Sequence, residues 1–248
     1  MPGVVHSATR RSALAARYDA IWNAAAPEVR EGRATLDAWA MRKVEDERRG
    51  VTLLARPSPA VAGAFAALLA ELYALESSQY YQPLADLHLT VLAPFSASLD
   101  HAPALAHLAA YDAAVAEALD GATPFAVDFV GVTLSSGAVL AQGFPRDGTL
   151  ERVRERLRTT LVARGLGDAL DTRYRLETAH TTLVRFTEPL RNPARFVDAL
   201  QGVRERAFGT SVVRELELVV SDWYQSAERS RRVAAYTLPH SPSTPERG

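Results

Sequence analysis

Cysteine is absent from this 248-residue chain, and Lys43 is the single lysine among 28 basic residues. The first absence excludes disulfides, thiolate nucleophiles and every zinc site that needs a sulfur ligand. It also leaves the redox compartment unreadable. The formal charge of −1 lacks the clustered basic excess that broad nucleic-acid binding requires. A small or end-on nucleotide substrate stays compatible with it. No segment reaches the length of an uncharged membrane span, and the basic start, residues 1–11, has no apolar stretch of signal-peptide type. No membrane partner is expected, and a cytoplasmic location is. The surplus of arginine suits oxyanion binding, although an alanine-rich genome composition accounts for it more simply.

What is present is enough apolar material, 48% of residues, to build one large core or two small ones. Residues 1–49 are expected to form an appended helical element, within which the stretch from Ala13 to Arg49 is rich in Ala, Arg and Glu and poor in β-branched residues. They read as two helices broken near Pro27 and Gly32, with Ile21 and Trp22, then Leu36, Trp39 and Met41, as packing stripes. From residue 50 the pattern changes to compact apolar strands between helices. A strand over 51–55 is ended by Arg56-Pro57-Ser58-Pro59, and a helix to about 76 carries Val61, Phe65, Leu68, Leu69 and Leu72 at helical spacing. A strand over 87–95 and an Ala-rich helix over 101–119 follow. Ser135-Ser136-Gly137 joins strands 125–134 and 139–144 as a hairpin. Then come a helix over 149–164, strands over 179–186, 212–221 and 233–238, and a helix over 193–202. Residues 239–248 have the composition of a disordered tail.

Within that order one pattern occurs twice: His88-Leu89-Thr90-Val91 and His180-Thr181-Thr182-Leu183. In a strand, residues i and i+2 share a face, so each copy sets an imidazole beside a hydroxyl. From Val51 to His88 is 37 residues and from Val139 to His180 is 41. That near-equality suggests an internal duplication, with halves about 50–123 and 124–240, whose motif strands line one cleft. Two imidazoles and two hydroxyls suit phosphoester chemistry. One ring takes a proton, the other gives one, and the hydroxyls bond phosphate oxygens.

These residues resemble the two signatures of the 2H phosphoesterase superfamily, most nearly its 2'-5' RNA ligase and cyclic phosphodiesterase branch. The resemblance implies a bilobal α+β fold with two antiparallel-sheet lobes around a shared cleft, here extended by the N-terminal helices. It implies metal-independent cleavage of a phosphodiester, often a 2',3'-cyclic phosphate at an RNA end, with no cofactor. His88 and His180 would be catalytic, and Thr90 and Thr182 would bind phosphate. Arg185 falls where many bacterial relatives place an arginine. Its odd offset from His180, however, points it away from the cleft in a regular strand.

Among other residues, Tyr81 (with Tyr80 and Gln82) and Tyr224 (with Trp223) are candidates for stacking on a base or ribose. Tyr174 and Arg175 read as a solvated pair, and His6, His101, His107 and His240 as surface or helix-face residues. Two other classes remain open: a metal hydrolase, for which Asp86 is the only carboxylate just before the first motif, and a non-catalytic nucleotide-binding protein of the same fold. Within the enzyme class, 2'-5' oligonucleotides and cyclic oligonucleotides compete with 2',3'-cyclic ends as substrates.

Overall fold

The computed structural model describes residues 2–170 and 176–239. Tyr174, Arg175, His240 and the tail from 241 lie outside them. The first element is one helix, α1 (Pro2–Arg30), rather than two. Pro27 lies in its last turn, where it lacks one N–H donor but only three residues of helix remain to be formed after it. The helix ends at Gly32, whose φ of 81° suits a residue without Cβ. The Gly32 N–H donates to Val29 and the Arg33 N–H to Glu28, closing a Schellman turn. The expected second helix is absent. Residues 33–48 run instead as a strap with a single 3-10 turn over Ala40–Glu45.

From there the chain builds β1 (Arg49–Ala55), α2 (Pro59–Leu75), β2 (Tyr80–Tyr81) and β3 (Leu89–Ser98). The helix expected over 101–119 is broken at His107 into α3 (Ala102–Ala106) and α4 (Leu108–Leu119). The hairpin β4 (Phe125–Leu134) and β5 (Ala138–Pro145) leads to α5 (Thr149–Ala163), β6 (Thr181–Arg185) and α6 (Pro193–Gln201). The single strand expected over 212–221 is two strands, β7 (Ala207–Val213) and β8 (Glu215–Ser221), and these belong to different sheets. The expected strand took in only Val212 and Val213 of β7, and the one-residue crossing at Arg214 reads as part of the alternating Val213-Arg214-Glu215-Leu216 run. The last strand is β9 (Arg231–Thr237).

The fold is α+β with two antiparallel sheets, ordered β3-β1-β8-β9 and β2-β6-β5-β4-β7. The strand before each helix pairs antiparallel with its motif strand: β1 with β3, and β5 with β6. The helices are exchanged. α2 follows the first sheet but packs on β6 and β7, whereas α5 follows the second sheet and packs on β3. β8 and β9 return to the first sheet, so sheet membership does not follow chain order.

A continuous apolar core joins the layers, with Phe65 meeting Phe129 and Phe208 at centroid distances of 5.3 and 5.1 Å. Such aromatic pairs add about 0.5–1.5 kcal/mol beyond area burial. Among the described residues no helix is long and apolar enough to cross a membrane.

Candidate active site

Each motif histidine sits immediately before its strand, His88 ahead of β3 and His180 ahead of β6. Burial alternates through both copies. His88, Thr90, His180 and Thr182 are half-buried, while Leu89, Val91, Thr181 and Leu183 are buried. This is the period-two pattern expected when one face of the strand meets the core and the other a cavity. All four polar side chains line one open cleft of about 210 Å³, together with Thr52, Ser96, Arg185, Trp223 and Gln225. Among the described residues neither threonine hydroxyl takes a hydrogen-bond partner.

The two rings are held differently. His88 Nδ1 lies 2.7 Å from the Asp86 carbonyl oxygen. A carbonyl only accepts, so Nδ1 carries the proton and the neutral ring offers a bare Nε2. His180 Nδ1 lies 2.7 Å from Thr178 Oγ1, a hydroxyl able to donate to it. With that donation the neutral ring carries its proton on Nε2. Burial pushes both rings down to about 4; for His88 the charges of Arg56 and Arg185 add to this, against the Asp86 carbonyl. For His180, His88, Arg154 and Arg185 act in the same direction as burial. Both imidazoles are therefore neutral at pH 7 in the free protein, and an anion beside them would raise their affinity for a proton.

The side chain of Arg185 corrects the expectation from its spacing, because it lines the cleft. Along β6, Val184 pairs with Val139 and Thr182 with Leu140, which leaves Leu183 as an extra residue in the ladder. Leu183 and Val184 are consecutively buried, and the bulge returns Arg185 to the face of His180 and Thr182. Its guanidinium stacks 5.3 Å above the Tyr224 ring and stands 3.6 Å from the Asp37 carboxylate. Among the described residues the buried Nε has no hydrogen-bond partner.

The strap supplies what lies behind this arginine. Asp37 Oδ1 accepts from the Tyr224 hydroxyl at 2.7 Å and from the Trp39 and Ala40 N–H groups. Its other oxygen is left toward Arg185. Lys43 Nζ contacts Asp86, at 3.5 Å, and donates to the Tyr80 hydroxyl; Asp86 is the residue whose carbonyl holds His88. Arg48 lies 5.0 Å over the Trp223 ring. Backbone bonds from Thr35 to Ser136 and from Asp37 to Phe186 tie the strap to the second sheet, and Arg229 ties the carbonyls of Lys43 and Asp46 to the β8–β9 connection. The strap thus clasps both lobes at one end of the cleft.

Helix α1 contributes from the other side. The Tyr18 hydroxyl donates to the Gly143 carbonyl and accepts from the N–H groups of Gly143 and Ala179, the residue before His180. Gly143 has no room for a side chain, since a Cβ there would lie 2.0 Å from the Ala179 carbonyl oxygen.

Two candidates fall outside the cleft. Tyr81 donates to the Glu76 carbonyl and packs edge-on against Tyr73, because β2 pairs with the flank of β6 and turns this side chain away. Tyr224 is buried beneath Arg185 and supports it, while its neighbour Trp223 is the aromatic residue that reaches the cavity. His101 Nδ1 bonds the Ser98 carbonyl, away from the site. Among the described residues no group of three His, Asp or Glu side chains could hold a metal. Asp37 and Tyr18 had no signal in the sequence, since nothing in a helix-like segment marks one Asp or Tyr as reaching a distant sheet.

No protein-family model and no curated protein matches the sequence. Solved structures do match. TT0787 of Thermus thermophilus is 16% identical with a TM-score of 0.58, over 77% of this chain and 98% of that one. Escherichia coli LigT complexed with 3'-AMP is 14% identical with a TM-score of 0.51, over 77% and 99%. A structure described as a phosphoesterase gives the same identity and score. At these identities the likeness establishes a shared LigT-like fold. Roughly a quarter of this chain has no counterpart in them.

Proposed function

We propose that this chain is a 2H-type phosphodiesterase that opens a 2',3'-cyclic phosphate, at an RNA end or on a small nucleotide, by metal-independent two-histidine catalysis. The observation that carries the proposal is the convergence of His88, Thr90, His180, Thr182 and Arg185 on one cleft. Nucleotide chemistry is further supported by the 3'-AMP and ATP held by LigT in structures of the same fold.

In this reading His88 is the general base, because its Nδ1–H is committed to the Asp86 carbonyl and its Nε2 lone pair is free. Water, placed in line with the scissile P–O bond, gives a proton to that Nε2 as its oxygen attacks phosphorus. The bond to one ribose oxygen breaks, and that oxygen takes a proton from Nε2 of His180. The product is a phosphomonoester. His180 is the acid because the bound phosphate supplies the negative charge that lifts its depressed proton affinity. Thr90, Thr182 and the guanidinium of Arg185 bond the non-bridging oxygens, where charge grows as the bond forms.

The test is turnover of 2',3'-cyclic nucleotides and a 2'-5' dinucleotide in EDTA by wild type, His88→Gln and His180→Gln. Chelator-resistant hydrolysis that falls by about 10²- to 10⁴-fold in each variant supports the mechanism. Turnover that survives both substitutions refutes it.

A further inference from the structure

Resting on that phosphodiesterase reading, we propose that Arg154 is a positioning residue that staples the two motif strands together through their backbone carbonyls. Arg154 projects from α5 and is 2% exposed. An arginine so buried is ordinarily paired with a carboxylate. Here its bonds go elsewhere: Nε donates to the Val91 carbonyl, and Nη2 to the carbonyls of Thr90 and Thr178, each at 2.9 Å. Thr90 and Val91 belong to β3 in the first sheet, and Thr178 lies just ahead of β6 in the second. One guanidinium therefore spans the lobes directly behind the cleft wall.

The two ends it grips are those that matter for the reaction. Thr90 is the first-motif threonine itself. Thr178, held by its carbonyl, uses its hydroxyl to hold His180 Nδ1. A planar fork with several donors fixes both strands in one register, which a point-charge ammonium does less completely. Arg154 touches neither substrate nor a reacting atom, so it acts by setting the spacing between the two imidazoles. Its charge also bears on His180, which faces His88 and Arg185 as well. Loss of that charge should let His180 hold its proton to higher pH.

The experiment compares wild type, Arg154→Met and Arg154→Lys as full-length proteins. The readouts are thermal melting, histidine Cε1–H titration by NMR, 3'-AMP binding, and kcat and KM on 2',3'-cyclic AMP. Arg154→Met is expected to lower kcat by about 10- to 100-fold, as for a reacting group held slightly out of place. KM and 3'-AMP affinity should change much less, and the His180 titration should move upward. Arg154→Lys is expected to restore the titration but only part of kcat. Should Arg154→Met not fold, the Lys variant decides alone: wild-type kcat in it overturns the proposal. So does a folded Met variant with unchanged kcat or an unmoved His180 titration. Absence of wild-type turnover refutes the phosphodiesterase reading instead, while the NMR titration still reports on the staple.

Discussion

Between pH 7 and pH 4 the affinity of the cleft for an oxyanion of constant charge is expected to rise as the pH falls, because binding must draw a proton onto one of the two histidines. In the free protein burial pushes both rings down to about 4. At pH 5.5 each is then protonated in only about 3% of molecules. An oxyanion beside Nε2 stabilises the charged ring, and if it returns one ring to the ordinary value near 6.5, that ring becomes about 90% protonated at the same pH. The second ring stays neutral, since the two rings repel when charged. Binding therefore takes up close to one proton. The sign follows from linkage: the bound state holds more protons, so acid favours it, and the gain accrues below the bound-state value and ends below the free-state value. Affinity grows by about tenfold per pH unit across that window, to a limit of about 300-fold for one ring.

Inorganic sulfate, a dianion throughout this range, is the probe. Isothermal titration calorimetry in two buffers of different ionisation enthalpy counts the protons. A pH-independent affinity with no proton uptake would refute the reasoning, by showing that the anion does not sit against these rings or that they are not depressed. The same slope in the double variant His88→Gln/His180→Gln would locate the uptake elsewhere.

Thr90→Val and Thr182→Val keep volume but remove a hydroxyl offered to phosphate, and each should lower kcat/KM by about 10- to 100-fold, the worth of one hydrogen bond to a charged group; steady-state kinetics on a cyclic nucleotide checks this. Arg185→Lys retains the charge but loses the fork to the oxygens where charge grows, so kcat should fall with KM changed less, read by the same kinetics. Tyr18→Phe leaves the Gly143 carbonyl and the Gly143 and Ala179 N–H groups without their partner. It should cost about 1–3 kcal/mol in a urea titration, and unchanged stability would show that water replaces the hydroxyl.

Much of this was legible in the chain because period-two patterning is local. The alternation at residues 88–91 and 180–183 follows from backbone pleating alone, so the pairing of each histidine with its threonine on one face needed no knowledge of the fold. The strand-helix-strand order around each motif was read from hydrophobic spacing in the same way, whereas the α+β fold of two antiparallel sheets came from the resemblance of the two motifs to a known family. Reading failed where the deciding contact is distant. The strap over 33–48 looks helical by composition, yet bonds to Ser136, Phe186 and Arg229 outweigh that weak local preference. The end of β7 and β8 looked like one strand because the one-residue crossing at Arg214 reads as part of an alternating run.

The sequence by itself thus determined which residue types would stand side by side on each motif strand, since that depends only on the geometry of a strand. Tertiary structure alone decided that the two strands share a cleft and that a bulge at Leu183 turns Arg185 into it. It also decided that Tyr81 turns out and Trp223 in, and that Asp37, Tyr18 and Arg154 brace the site from elements far away in the chain. Those outcomes depend on which buried donors and acceptors find partners across sheets, and no local pattern encodes such a pairing.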